Sequence, residues 1–162
     1  METRLATTAD AAAIAEIYNQ GIADRVATFE TRSRAAEDIR DWFSAAYPVV
    51  VVEDEAVIAF AKLSAYSTRA CYSGIAEFSV YVARVKQRRG AGRIAMQALL
   101  QEAQRRGFWK LLSRIFVENT ASRALMRDLG FREVGVYYKH SKLDGQWRDV
   151  VIVEYLIEEN LI

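Results

Sequence analysis

Two glycines one residue apart, set among arginines where an apolar run gives way to a helical pattern, constrain this chain more than any other feature. Residues 84–93 read Arg-Val-Lys-Gln-Arg-Arg-Gly-Ala-Gly-Arg. Upstream, Phe78, Val80, Tyr81 and Val82 end a β-rich run. Downstream, Ile94, Met96, Ala98, Leu99, Leu100 and Ala103 recur with helical spacing. The chain must pass from strand to helix through a turn that carries five cations. A helix N-terminus leaves backbone N–H groups unpaired and partly positive, so it favours an anion. Gly90 and Gly92 let the backbone turn and approach a ligand with no Cβ in the way. The segment reads as a phosphate cradle.

The 162 residues suffice for one domain, 1–162, with a sizeable core. Lys and Arg number 22 against 21 Asp and Glu. That balance argues against a polyanion binder with a broad basic face, so no nucleic-acid partner is expected. Cys71 is the sole cysteine, which excludes an intramolecular disulfide and fits a reducing compartment. It reads as a small, partly buried side chain. Neither a signal peptide nor an apolar run of membrane-spanning length is apparent, and the expected location is the cytoplasm.

Residues 2–6 read as a strand. A helix capped by Thr8 or Asp10 follows, with Ile14, Ile17, Tyr18 and Ile22 on one face. Residues 24–33 have no period and form a loop with a buried aromatic. A second helix spans 34–46, started by Ser33 and ended by Tyr47-Pro48. Strands follow at 49–52, 57–67 and 76–83. Beyond the glycine turn come a helix at 91–106 stopped by Gly107, a strand at 111–117 and a helix capped by Asn119 or Thr120 and closed by Gly130. The last pair, 131–138 and 147–157, turns at Asp144-Gly145. Strands and helices alternate only in the second half, which favours an α/β fold with a mixed sheet over a wholly parallel one.

The triphosphate P-loop pattern is absent, and so is the Gly-x-Gly-x-x-Gly dinucleotide fingerprint. What stands instead is Gln87-x-x-Gly90-x-Gly92. Together with Asn119-Thr-Ala-Ser122-Arg-Ala-Leu125 and Leu129-Gly130-Phe131, it resembles the GCN5-related N-acetyltransferase (GNAT) superfamily. Ala27-Thr28-Phe29-Glu30, Arg69-Ala-Cys-Tyr72, Glu77-Phe-Ser-Val-Tyr81-Val82 and Gly145-Gln-Trp147-Arg-Asp149 resemble the phosphinothricin N-acetyltransferase group. The wording of 66–82 and of 107–111 is nearest its arsinothricin branch.

The resemblance implies a mixed, mostly antiparallel sheet, splayed at an acetyl-CoA site and flanked by about four helices. It implies acetyl transfer from acetyl-CoA to the α-amine of a glutamate analogue, phosphinothricin or arsinothricin, conferring resistance. Methionine sulfoximine, methionine sulfone or another amino acid is the alternative acceptor, and a non-catalytic acyl-CoA sensor is a more distant one. The implied partners are the amino-acid-like substrate, acetyl-CoA and a second copy of the chain in a homodimer; no metal and no membrane are implied. Val80, Tyr81 and Val82 would pair with pantetheine through their backbone. Arg88, Arg89, Gly90, Ala91, Gly92 and Arg93 would hold the diphosphate, and Asn119 and Ser122 would lie beside the cofactor.

An ammonium must lose a proton before it attacks a thioester. Glu77 shares a strand face with Ser79 and Tyr81 and is the candidate general base, acting directly or through water. The competing reading is a structural carboxylate paired with an arginine such as Arg69. Arg69 and Tyr72 are the candidate anion site, with Phe29, Glu30 and Tyr66 lining the pocket; core packing is the competing reading for Phe29. Met126 falls where the superfamily usually has a tyrosine acid, so the leaving thiolate has no assigned proton donor. His140, the sole histidine, excludes His-rich metal sites and reads as a surface residue, with a substrate-side contact or a base role as the alternatives.

Overall fold

Residues 49–52 are valine at every position, which a strand tolerates only when both of its faces are covered. In the computed structural model, which describes residues 1–44 and 46–162, that run opens β2 (Val49–Asp54). The remaining strands are β1 (Glu2–Leu5), β3 (Ala56–Ala65), β4 (Ile75–Val82), β5 (Lys110–Phe116), β6 (Arg132–Leu143) and β7 (Gln146–Leu156). They form one seven-stranded sheet in the order β1-β2-β3-β4-β5-β7-β6. Every neighbouring pair is antiparallel except β4 and β5. A parallel pair needs a crossover, and here it is α3 (Ala91–Arg105), entered through the glycine turn.

The two sides of the sheet have separate cores. On one side Val50, Val52, Leu63 and Phe78 pack against Ala95, Met96 and Leu99 of α3 and Met126 of α4 (Thr120–Asp128). On the other, Val49, Val51 and Phe60 meet Ile14 and Ile17 of α1 (Ala11–Asp24) and Ile39 of α2 (Ala36–Arg40). Alternate valines of β2 thus serve opposite cores. Asp144 and Gly145 both have positive φ (51° and 79°), as a two-residue hairpin turn between β6 and β7 requires.

The expected second helix is shorter than 34–46. Its α-helical part is α2, with the Asp38 carboxylate accepting the Ala35 N–H at 2.8 Å, and a 3-10 turn at Asp41–Ser44 follows. Residue 45 of the expected helix lies outside the described residues. Cys71 is exposed rather than partly buried, because 70–72 form a 3-10 turn outside the sheet.

Lys62 of β3 lies on the α1–α2 side, with its ammonium 3.8 Å from the centre of the Trp42 ring. Among the described residues no carboxylate pairs with it, and burial draws its pKa down to about 8. The folded state therefore binds this proton less tightly than the unfolded chain, so stability should rise between pH 8 and the ordinary lysine value. Lys62→Met is expected to stabilise the fold by about 1–2 kcal/mol at pH 7, the ring contact offsetting part of the gain. Urea melts at pH 7 and pH 10.5 test this: the gain should shrink at the higher pH, and an equal gain at both would exclude burial of the charge as its source.

Candidate active site

β4 and β5 pair only at Ile75–Lys110, Ala76–Leu111 and Glu77–Leu112. Beyond that register the strands part, with Ser113 Oγ donating to the Phe78 carbonyl at 2.9 Å. From Ser79 to Val82 the edge of β4 faces a cleft of about 1020 Å3 instead of a strand. Backbone polar groups at such an edge need partners, and an extended amide-bearing ligand can supply them as an added strand would.

At one end of the cleft lies the start of α3. Gly90 is its N-cap, with φ of +85°, and no side chain caps the first turn. α4 differs: Asn119 Oδ1 accepts the Ser122 N–H at 3.2 Å. The amides opening α3 are thus left for whatever fills the cleft, which suits an anion. Arg88, Gly90, Ala91, Gly92 and Arg93 all line this end. Arg89 does not. Arg84 is turned aside to Asp24 at 2.7 Å, and Arg93 shares Asp128 at 3.2 Å. A Cβ on Gly92 would stand 3.4 Å from Leu125, so the helix starts close against α4.

At the point where the strands part, Glu77 Oε1 is ion-paired with Arg114 Nη2 of β5, and both side chains line the cleft. His140 Nε2 lies 3.5 Å from Arg114 Nη1. His140 reaches this spot because β6 departs from regular register between Tyr137 and Ser141, a bulge pinned by Asp149 Oδ1 accepting the Lys139 N–H at 2.7 Å. Phe29 stands edge-on to Phe116, ring centres 4.8 Å apart, and with Glu30 it walls the same region.

Val80, Tyr81, Val82, Asn119 and Ser122 also lie along the cleft. The Tyr81 ring is committed elsewhere, stacked on Phe60 at 5.4 Å and packed against Tyr18, and burial pushes its phenol pKa up. What it offers the cleft is main chain. Asn119 is likewise occupied: Nδ2 donates to the Val26 carbonyl at 3.2 Å, tying the 25–28 loop to the start of α4.

Arg69, Tyr72 and Tyr66 are not among the cleft residues. Tyr72 packs on Tyr66 with ring centres 5.8 Å apart, and the Arg69 guanidinium lies 5.8 Å from the centre of the Tyr72 ring, forming an exposed cluster ahead of β4. Met126 is fully buried. Arg114 stands outside every motif quoted above, although a lone cation in the otherwise uncharged stretch 111–116 is a signal for it. Among the described residues no group of three His, Cys, Asp or Glu side chains is placed to hold a metal, and no helix is long and apolar enough to cross a membrane.

Known proteins resemble this chain over most of its length. The Acetyltransferase (GNAT) family model matches residues 14–131. A phosphinothricin N-acetyltransferase of Streptomyces viridochromogenes is 32% identical, over 93% of this chain and 84% of its own length. An L-methionine sulfoximine/L-methionine sulfone acetyltransferase of Salmonella typhimurium is 30% identical, over 99% of this chain and 96% of its own. Among solved structures, a GNAT superfamily phosphinothricin acetyltransferase from Sinorhizobium meliloti in complex with acetyl-CoA superposes with a TM-score of 0.90. It is 30% identical over 96% of this chain and 87% of that one.

Proposed function

The chain belongs to the GNAT acetyltransferase family, as an acetyl-CoA-dependent N-acetyltransferase, and we propose that its acceptor is the α-amine of a small glutamate-like amino acid, phosphinothricin or arsinothricin among them. The observation that carries this reading is the placement of Glu77 where β4 and β5 part, in the same cleft as the uncapped start of α3.

In this reading the amides of Gly90, Ala91, Gly92 and Arg93 hold the coenzyme's diphosphate, with Arg88 and the outlying Arg89 adding charge. The open edge of β4 binds pantetheine, and an N–H of Val80, Tyr81 or Val82 polarises the thioester carbonyl. Glu77 takes the proton of the acceptor's ammonium, directly or through water. The amine nitrogen then bonds to the carbonyl carbon as the C–S bond breaks, and the second proton that the nitrogen must shed passes to the departing thiolate or to water. Met126 cannot protonate the departing sulfur, and a thiol with pKa near 8.5 can leave as the thiolate. Phe29 and Glu30 wall the acceptor region. The whole chain, 1–162, acts as one domain within a cytoplasmic homodimer, and the activity confers resistance by blocking the amine of an antimetabolite.

The name of the Salmonella relative favours methionine sulfoximine or methionine sulfone as a second acceptor class. Release of CoA thiol against phosphinothricin, arsinothricin, methionine sulfoximine, glutamate and short peptides, with products weighed by mass spectrometry, tests the choice. The glutamate analogues are expected to lead by at least tenfold in kcat/KM. Turnover confined to peptides would reject the reading.

A further inference from the structure

Glu77 and Arg114 place opposite charges side by side at the foot of the cleft. Arg114 has 43% of its side chain exposed, and no other carboxylate pairs with it among the described residues. A guanidinium has five N–H donors, so one bond to Glu77 and a contact with His140 leave donors for a ligand. Partly exposed ion pairs contribute about 0–1 kcal/mol, which makes stability a weak reason for placing one at the mouth of a strand opening. The acceptor chemistry offers a stronger reason. An α-amino acid carries its ammonium and its carboxylate on the same carbon, as adjacent charges of opposite sign.

We propose that Glu77 and Arg114 form a zwitterion clamp, with Arg114 binding the acceptor's α-carboxylate while Glu77 receives its ammonium. Each protein charge exchanges its partner for one on the substrate, so binding leaves no charge unpaired. The guanidinium suits a planar carboxylate in bidentate fashion, and His140 limits where it can swing. The clamp rests on the acetyl-transfer reading above and deepens it: it selects free α-amino acids over peptides whose acceptor residue has its carboxyl in an amide bond.

The test pairs a substrate change with a residue change. The best amino-acid acceptor and its α-carboxamide are compared in the wild type, Arg114→Met and Arg114→Lys, each checked by thermal melting. The wild type is expected to favour the free acid by about 10²-fold or more in kcat/KM. Arg114→Met should lose most of that preference, mainly through a higher KM for the acid, bringing the acid-to-amide ratio near one. Arg114→Lys should restore part of it. Equal losses on acid and amide in Arg114→Met would overturn the clamp, as would a wild type that accepts both equally well. Failure of the amino-acid acceptor reading is distinguishable, because then the wild type would acetylate peptide amines and leave every free amino acid untouched.

Discussion

Replacing Glu77 with Gln is expected to lower kcat/KM for the amino-acid acceptor at pH 7 by about 10²- to 10⁴-fold, the usual range for losing a positioned base. Glutamine is nearly isosteric, and its amide oxygen can still accept from Arg114, so the tie between β4 and β5 at this point survives. What disappears is the ability to hold a proton. The deficit should narrow as pH approaches and passes the acceptor amine's own pKa, which in a free amino acid lies above the about 7.7–8.0 of a chain terminus, because solvent then deprotonates the amine before it binds. A full pH–rate profile of both proteins, with thermal melts as a fold control, distinguishes this from a structural carboxylate. A structural role would give a loss under tenfold with the same pH shape as the wild type. Glu77 would then be only the partner of Arg114.

The second large effect concerns the other end of the cleft. Gly90 caps α3 at φ of +85°, and a Cβ there would meet nothing within 4 Å. Any penalty for a side chain at this position is therefore conformational and not a clash. A β-branched residue strongly resists the left-handed region, at a cost of about 1–3 kcal/mol. Gly90→Val should either strain the turn or rotate it, and rotation re-aims the amides of residues 91–93. The KM for acetyl-CoA is expected to rise about 10- to 100-fold, equivalent to about 1.4–2.7 kcal/mol of binding. Gly90→Ala should fall between the two. If Gly90→Val melts lower yet keeps a wild-type KM, the turn serves the fold and the diphosphate sits elsewhere.

The elements that announce themselves locally were legible before any coordinates. Phe78 to Val82, Gly90, Gly107, Asn119 and Gly130 act on the backbone within a few residues, so strand, turn, helix and stop follow from short-range rules. The glycine-led, uncapped start of α3 belongs to this class. The acceptor end does not. Arg114 and His140 meet only because β5 pairs with β7, β7 pairs with β6, and β6 bulges between Tyr137 and Ser141. No local pattern encodes two strand registers and a bulge at once.

Arg69 and Tyr72 show the converse. They lie within eight residues of Glu77 along the chain, but the 3-10 turn at Ala70–Tyr72 carries them into a cluster with Tyr66 instead of the cleft. Asn119 caps α4 as its position after β5 suggests, and it carries a second bond that no local pattern announces. Its side chain caps α4 and holds the Val26 carbonyl, a long-range bond that shapes the cleft wall. The competing reading of Glu77, a carboxylate paired with an arginine such as Arg69, meets an actual partner from a different strand, Arg114.

Isothermal titration of the purified protein with acetyl-CoA puts the phosphate cradle to its most direct test. One site per chain with a Kd in the micromolar range, about −8 kcal/mol, weakened at least tenfold by Gly90→Val, is the expected result. Absence of binding at millimolar acetyl-CoA, or equal affinity in the wild type and Gly90→Val, would contradict the assignment of the α3 N-terminus as the coenzyme's anchor.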